Sequence, residues 1–156
     1  MKIIKKYKPP PSTLIDCGCN IGRWVEYFTK QNYDYTGVDQ SEYAIKVAHQ
    51  LHPNNKFINS LLWEIDFNNT FDIAFFNAVL QHNTHEEKRK ILPKVYQALK
   101  KDGVLIFKES TVKEQTETQF TQEEWISLVE SYGFEFKESW HKNELGLEDN
   151  YIFRKV

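Results

Sequence analysis

The chain has 156 residues, 40% of them hydrophobic and 27% charged, a balance that builds one globular domain and excludes a disordered or fibrous chain. Twenty basic against 22 acidic side chains leave a net charge of −2, without the overall basic footprint of most nucleic-acid binders. No run of about 18 apolar residues occurs, and the apolar stretch at the N-terminus is too short for a secretory signal, so a cytoplasmic protein with no membrane partner is expected.

Locally the charge is uneven. Lys2, Lys5, Lys6 and Lys8 make residues 1–12 a basic segment, while carboxylates predominate between Ser110 and Asp149. Either this is a solvated dipolar surface or it marks a face for an anionic partner. Cys17 and Cys19 are the only cysteines, too few for a disulfide framework or a four-ligand zinc site, and read as buried free thiols.

In chain order, residues 13–16 (TLID) form a short apolar run entering a glycine cluster, and residues 21–31 carry apolar positions at helical spacing, which predicts strand, tight turn and helix. Residues 35–39 (YTGVD) predict a second strand, and Ser41 caps a helix that Pro53 stops. Phe57 and Ile58 make a third strand, and residues 71–79 (FDIAFFNAV) have the continuous apolarity of a strand covered on both faces. Thr84 and Glu87 form a capping box opening a helix that Pro93 should kink or split and that Lys101, Asp102 and Gly103 should end. A fifth strand follows at 104–107, then a polar surface loop at 110–119. Thr121 and Glu124 cap another helix, stopped by Gly133. Residues 134–140 and 151–156 predict two strands joined by a polar loop at 141–150; with no helix between them, they should be antiparallel. Alternating strands and helices predict an α/β, three-layer αβα fold around a doubly wound, mostly parallel seven-stranded sheet, with ligands at the carboxyl ends of the strands.

The first such end reads Asp16, Cys17, Gly18, Cys19, Asn20, Ile21, Gly22. Glycines there admit positive φ and bring a ligand against bare backbone near a helix N-terminus. Asp39 ends the second strand 21 residues after Gly18, where an acid accepts hydrogen bonds from a ribose diol. The spacing departs from the dinucleotide fingerprint and no phosphate-binding Gly-Lys-Ser/Thr follows. Asp16 would repel a pyrophosphate but suit a cationic amino group, so the pattern favours a nucleoside ligand that carries an ammonium and no phosphates.

With these residues in hand, the chain resembles the class I S-adenosylmethionine-dependent methyltransferases of the small, seven-stranded Rossmann-like type, from about Leu14 to Val156. Residues 14–22 are similar to the family's first motif, with Asn20 where glycine or threonine is common. Residues 37–41 with Ala44, Ile45 and Ala48 resemble the second, and Phe71, Asp72 and Ile73 leading to Asn77–His82 resemble the fourth-strand motif. Residues 99–105 resemble the Leu-Lys-Pro-Gly-Gly turn, with Lys101 and Asp102 as departures. The resemblance implies S-adenosyl-L-methionine as cofactor. Gly18, Cys19, Asn20 and Gly22 would lie along its methionine part, Asp16 would support its amino group and Asp39 would hold its ribose. Ser60 stands where the family often has an acid for adenine; Ser60, Leu61 and Gln40 are the replacements, and Asn77 closes the cofactor side.

The resemblance also implies methyl transfer to an unidentified acceptor, a small molecule ahead of RNA or protein. The alternatives are an inactive cofactor-binding partner subunit and a nicotinamide-nucleotide oxidoreductase. Asn77 and His82 are the catalytic candidates, His82 as general base, with His85 behind it. Asn77 is not followed by Pro-Pro and an aromatic, which disfavours amino-methylation of DNA bases. The pairs His82/His85 and His49/His52 lack supporting ligands, so no metal is expected. With so few residues before Thr13 the acceptor side should be open. It would be closed by the basic segment 1–12 acting as a lid, or by a partner chain or macromolecular substrate, with residues 13–156 forming the single cofactor-binding domain.

Overall fold

A computed structural model describes residues 2–111, 116–141 and 148–156. The elements run α1 (Lys2–Tyr7), β1 (Ser12–Cys17), α2 (Val25–Thr29), β2 (Tyr33–Asp39), α3 (Glu42–Leu51), β3 (Lys56–Asn59), β4 (Phe71–Asn77), a 3-10 turn (Leu80–His82) and α4 (His85–Ala98). They continue as β5 (Leu99–Ser110), α5 (Gln122–Glu130), β6 (Phe134–His141) and β7 (Glu148–Lys155). The seven strands form one sheet in the order β3-β2-β1-β4-β5-β7-β6. The five strands from β3 to β5 are parallel, while β7 runs antiparallel to both β5 and β6. This is the expected doubly wound α/β architecture.

Consecutive strand residues feed opposite cores, which is why the central strands are apolar throughout. Leu14, Ile73, Phe75, Ile106 and Ile152 face the layer of α1, α2 and α3. Ile15, Ala74, Phe76, Leu105 and Phe153 face α4 and α5, where Trp125 is fully buried against Phe107 and Phe120. The basic N-terminal segment, one candidate for closing the acceptor side, docks on the first of these faces: Ile4 is 5% exposed within that core, and Lys6 and Tyr7 both donate to Glu138 on β6, at 2.8 and 2.6 Å. Among the described residues no helix is long and apolar enough to cross a membrane.

The three helix starts behave as the sequence predicts. Ser41 Oγ accepts the Ala44 N–H, and Thr84/Glu87 and Thr121/Glu124 form reciprocal capping boxes. Several boundaries differ. The helix expected over 21–31 is α-helical only from Val25 to Thr29, because Asn20 (φ 51) and Gly22 (φ 84) hold left-handed backbone that no helix can contain. The fourth strand stops at Asn77, since Ala78 turns to φ 57. The helix expected to end at residues 101–103 ends at Ala98, and β5 begins at once. A register irregularity between Phe71 and Ile73, with Asp102 at φ 59, fits that turn into the sheet. Ser110, His141 and residues 148–150 belong to strands rather than to the loops expected at 110–119 and 141–150; the rest of those loops falls partly outside the described residues.

Helix α4 also runs continuously through Pro93, where a kink or split was expected, so it is not split. Proline has no N–H to offer the carbonyl of Arg89, but the hydroxyl of Tyr132, just after α5, donates to that carbonyl at 3.2 Å. The helix loses an internal hydrogen bond and gains a tie to its neighbour.

One polar pair is sealed within the sheet. Asp16 is 1% exposed and accepts a hydrogen bond from the Tyr35 hydroxyl on the adjacent strand at 2.5 Å. Burial pushes its carboxyl up to about 7; the Tyr35 bond opposes this and the charge of Asp39 adds to it.

Two measurements test these features. Tyr132→Phe should cost about 1 kcal/mol in urea unfolding, and less in a Pro93→Ala background, where residue 93 supplies the missing N–H; equal costs in both backgrounds would refute the tie. For Asp16, the folded carboxyl binds a proton that the unfolded one, near 3.8, has released, so its contribution to stability falls as pH rises between those values. Asp16→Asn keeps an acceptor for Tyr35 and removes the titration. Its stability relative to wild type should rise by on the order of 1 kcal/mol per pH unit between about pH 5 and 7, whereas a gap independent of pH contradicts the assignment.

Candidate functional site

At the carboxyl ends of β1, β2 and β4, beside the reversal of strand order, lies a cavity of about 410 Å³. Its first wall is the turn after β1. Gly18, at φ 79, and Cys19 both donate their N–H groups to the Val38 carbonyl, at 2.8 and 3.0 Å, which pins the turn to β2. A Cβ on Gly18 would stand 2.5 Å from a methyl of Val79, so only glycine lets this turn and the loop after β4 close on each other. Asn20 follows at φ 51, a conformation asparagine tolerates better than most residues, and its side-chain oxygen accepts the Ile21 N–H at 2.8 Å.

The Asn20 N–H reaches Asp39 Oδ2 at 2.8 Å, and Asp39 Oδ1 accepts the Ser41 N–H at 2.9 Å. One carboxylate thus links the glycine turn, the end of β2 and the start of α3, and it still lines the cavity. Each carboxylate oxygen offers two lone pairs, so both retain capacity for a ligand. Gln40, Leu62 and Trp63 line the cavity beyond Asp39.

The opposite wall follows β4: Asn77, Ala78, Val79, His82 and Asn83, with Ile91 of α4 behind them. It is held by Glu109, near the end of β5 and 1% exposed, whose carboxylate accepts the N–H groups of Val79, Leu80 and Gln81 at 3.1, 2.9 and 2.8 Å. The Ala78 N–H bonds the Lys108 carbonyl, and the Gln81 side chain accepts the Ser110 N–H. Arg23 and Trp24 complete the lining, Trp24 packing edge to face on Phe75 at 5.5 Å.

Gly18, Cys19, Asn20, Asp39, Gln40, Asn77 and His82 therefore come together as the sequence predicts. Four expected residues do not line the cavity. Asp16 is sealed below it with Tyr35. Gly22 turns the other way, where a Cβ would stand 2.8 Å from the His52 ring. Ser60 and Leu61 form the turn after β3: the Ser60 N–H bonds the Asp39 carbonyl and the Ser60 hydroxyl bonds the Leu61 carbonyl, so the wall is built two residues later by Leu62 and Trp63.

Sequence reasoning missed Arg23, Trp24, Leu62, Trp63 and Glu109. Trp24 falls within the helix expected over 21–31, but the helix starts at Val25, which leaves Trp24 on the preceding turn. The signal for Glu109 was an acid shortly after the apolar run 104–107, beyond the expected strand end.

Cys19 is 2% exposed and burial drives its thiol pKa upward, which keeps it protonated and unreactive. His82 is exposed at the rim, whereas His85 stacks on Phe120 at 4.0 Å outside the lining. Among the described residues no group of three or more His, Cys, Asp or Glu is placed to hold a metal ion.

The residues present fit a nucleoside sulfonium. The Asp39 carboxylate suits a ribose diol, the Leu62 and Trp63 side chains suit a purine, and the glycine turn leaves backbone open beside them. Among the described residues Arg23 is the one Lys or Arg in the lining, a poor match for a pyrophosphate.

Residues 15–107, more than half of the chain, match the methyltransferase domain family. A carboxy-S-adenosyl-L-methionine synthase of Nautilia profundicola is 29% identical over 118 residues, covering 72% of this chain and 50% of that protein. One from Campylobacter fetus is 28% identical over 137 residues, covering 83% and 56%. The chain spans about half the length of these curated relatives. Among solved structures, an S-adenosylmethionine-dependent methyltransferase of Methanosarcina mazei aligns with a TM-score of 0.87 at 20% identity, over 100% of this chain and 98% of that one. The 1,6-didemethyltoxoflavin-N1-methyltransferase of Burkholderia thailandensis, with 1,6-didemethyltoxoflavin and S-adenosylhomocysteine bound, aligns with 0.84 at 22% identity, over 99% and 76%. The glycine turn, the acid ending β2 and this sheet order meet in one group: the chain belongs to the class I S-adenosylmethionine-dependent methyltransferases, whose cofactor is S-adenosyl-L-methionine.

Proposed function

We propose that this protein transfers the methyl group of S-adenosylmethionine to a small-molecule acceptor lying against Asn77, His82, Asn83 and Trp24. The observation that carries the reading is a single cavity of about 410 Å³ that joins the glycine turn, Asp39 and the loop after β4. That volume is at the lower end of small-ligand sites, which favours a compact acceptor over an RNA or protein segment.

Asp39 holds the ribose hydroxyls; its fixed geometry lets it accept them without rearranging. The backbone of Gly18, Cys19 and Asn20 runs beside the methionine part, and Gln40, Leu62 and Trp63 enclose the base. Ser60 and Leu61 act at one remove, by shaping the turn that sets Leu62 and Trp63. Asp16 and Gly22 likewise support the glycine turn rather than touch the cofactor. When bound, S-adenosylmethionine supplies an electrophilic methyl carbon on a sulfonium. Transfer then depends mainly on aligning the acceptor with that carbon, which the β4 wall and Trp24 do by shape. His82 takes the acceptor's proton where the nucleophile carries one.

A second reading is favoured by Arg23. Among the described residues no hydrogen bond or ion pair engages its guanidinium, and it faces the same cavity. The related synthases of Nautilia and Campylobacter are named for a carboxylated cofactor, and a guanidinium is the natural partner of an added carboxylate. Mass spectrometry of nucleosides released from purified protein separates the two readings.

Calorimetry should show S-adenosylmethionine and S-adenosylhomocysteine binding and no NAD binding; silence with both sulfur nucleosides would sink the proposal. Asp39→Ala should weaken S-adenosylhomocysteine roughly ten- to hundredfold, the scale of hydrogen bonds to a charged group. With labelled cofactor and fractionated cell extract, label should enter a small-molecule fraction and fall several-fold with His82→Gln; label confined to RNA or protein would refute the acceptor class.

A further inference from the structure

The turn after β4 forms a wall of the cavity, and its first N–H groups are satisfied from far along the chain rather than locally. Residues 79–81 present three successive N–H groups inward, and all three converge on the Glu109 carboxylate. Leu80, between them, is fully buried. Two residues further on, the carbonyl of Asn83 accepts from the ammonium of Lys88, which is also fully buried and donates to the Thr118 carbonyl at 2.6 Å. Lys88 stands over the Phe120 and Trp125 rings at 5.5 and 5.6 Å, and its charge acts on Glu109.

A carboxylate and an ammonium are thus buried beneath one loop, one gathering its N–H groups and the other a carbonyl. Buried charges of this kind are costly, and here the carboxylate satisfies three N–H groups that apolar packing would leave without a partner.

We propose that Glu109 is a positioning residue for the cofactor site: ionised and braced by Lys88, it holds residues 79–81 so that Asn77, Ala78, Val79 and His82 face the cavity. The effect passes through the loop, since Glu109 itself does not line the cavity. It is also felt at the glycine turn, because Gly18 packs directly on Val79.

Charge state governs this role. A carboxylate can accept three N–H groups, whereas a protonated carboxyl turns a donor toward them. Burial raises the Glu109 carboxyl to about 7, against the three backbone bonds and Lys88, which lower it. The titratable groups on the elements around it are Lys88 on α4, which acts on it directly and is itself acted on by Glu87, His85 on the same helix, exposed His82 on the turn, and Asp149, which stands opposite it in register on β7 and accepts from the Tyr151 hydroxyl. As pH falls through that region, Glu109 takes up a proton and the loop loses its anchor.

The inference rests on the methyltransferase reading for its ligand, and S-adenosylhomocysteine is the probe. Calorimetry on the full chain from about pH 5.5 to 8.5 should show wild-type affinity falling as pH drops. Glu109→Gln, folded by circular dichroism, should bind at least tenfold more weakly at high pH and with a shallower pH profile than wild type, while Glu109→Asp recovers part of the affinity and the slope. A purely structural role would lower the thermal midpoint and leave the folded protein's affinity and pH profile unmoved, which overturns the proposal. If Glu109→Gln does not fold, Lys88→Met decides: losing the ammonium raises the Glu109 pKa, so the midpoint of the pH profile must move upward, and an unmoved midpoint overturns the proposal. Wild-type protein that binds no S-adenosylhomocysteine at any pH overturns the methyltransferase reading and this inference together; a failure confined to the variants overturns this inference alone.

Discussion

Where a parallel strand ends, the chain must turn away and leave N–H groups that no neighbouring strand can satisfy, and in this protein two carboxylates take them up. Asp39 gathers those of Asn20 and Ser41, on the β2 side of the strand-order reversal. Glu109 gathers three more on the other side. Each carboxylate holds a turn that follows another strand, Asp39 the one after β1 and Glu109 the one after β4, so each ties two parts of the fold together. The cavity is the space between these tied turns, and its shape follows from how they are held.

The two are placed differently in solvent. Asp39 lies at the cavity surface and keeps lone pairs facing it, which equips it to meet a ligand. Glu109 is enclosed with Lys88, aromatic rings and backbone, and can act only on protein. Asp16, one strand from Asp39, is enclosed as well, but with the Tyr35 hydroxyl in place of a cation. Exposure rather than residue type separates the acid that faces the cavity from the acids that shape its surroundings.

That distinction marks how far the sequence could be read. Helix starts were legible because a capping box is local: Thr84 and Glu87, or Thr121 and Glu124, satisfy one another within four residues. The glycine turn and Asp39 were legible because their spacing is set by one strand-helix-strand unit. The run through Pro93 was not, since it depends on Tyr132, far along the chain. Nor could the sequence place Asp16, Ser60 and Leu61, whose side chains and backbone are engaged within the protein. Glu109 was invisible because its three partners lie about thirty residues away. Trp24 and Arg23 were hidden by a helix that begins only at Val25, a boundary set by the left-handed residues Asn20 and Gly22.

The glycine turn shows why such a site admits little variation. Gly18 cannot gain a Cβ without meeting Val79, and Val79 cannot retreat without pulling its N–H from Glu109. Gly37, on β2, is similarly bound, for a Cβ there would stand 2.7 Å from Cys19 Sγ. Backbone from β1, β2 and β4 is therefore packed together with the side chains removed where the strands approach, and a ligand entering from above meets main chain that is already fixed. Preorganisation of that kind lowers the ordering cost of binding, because the groups that receive the ligand are held in place before it arrives.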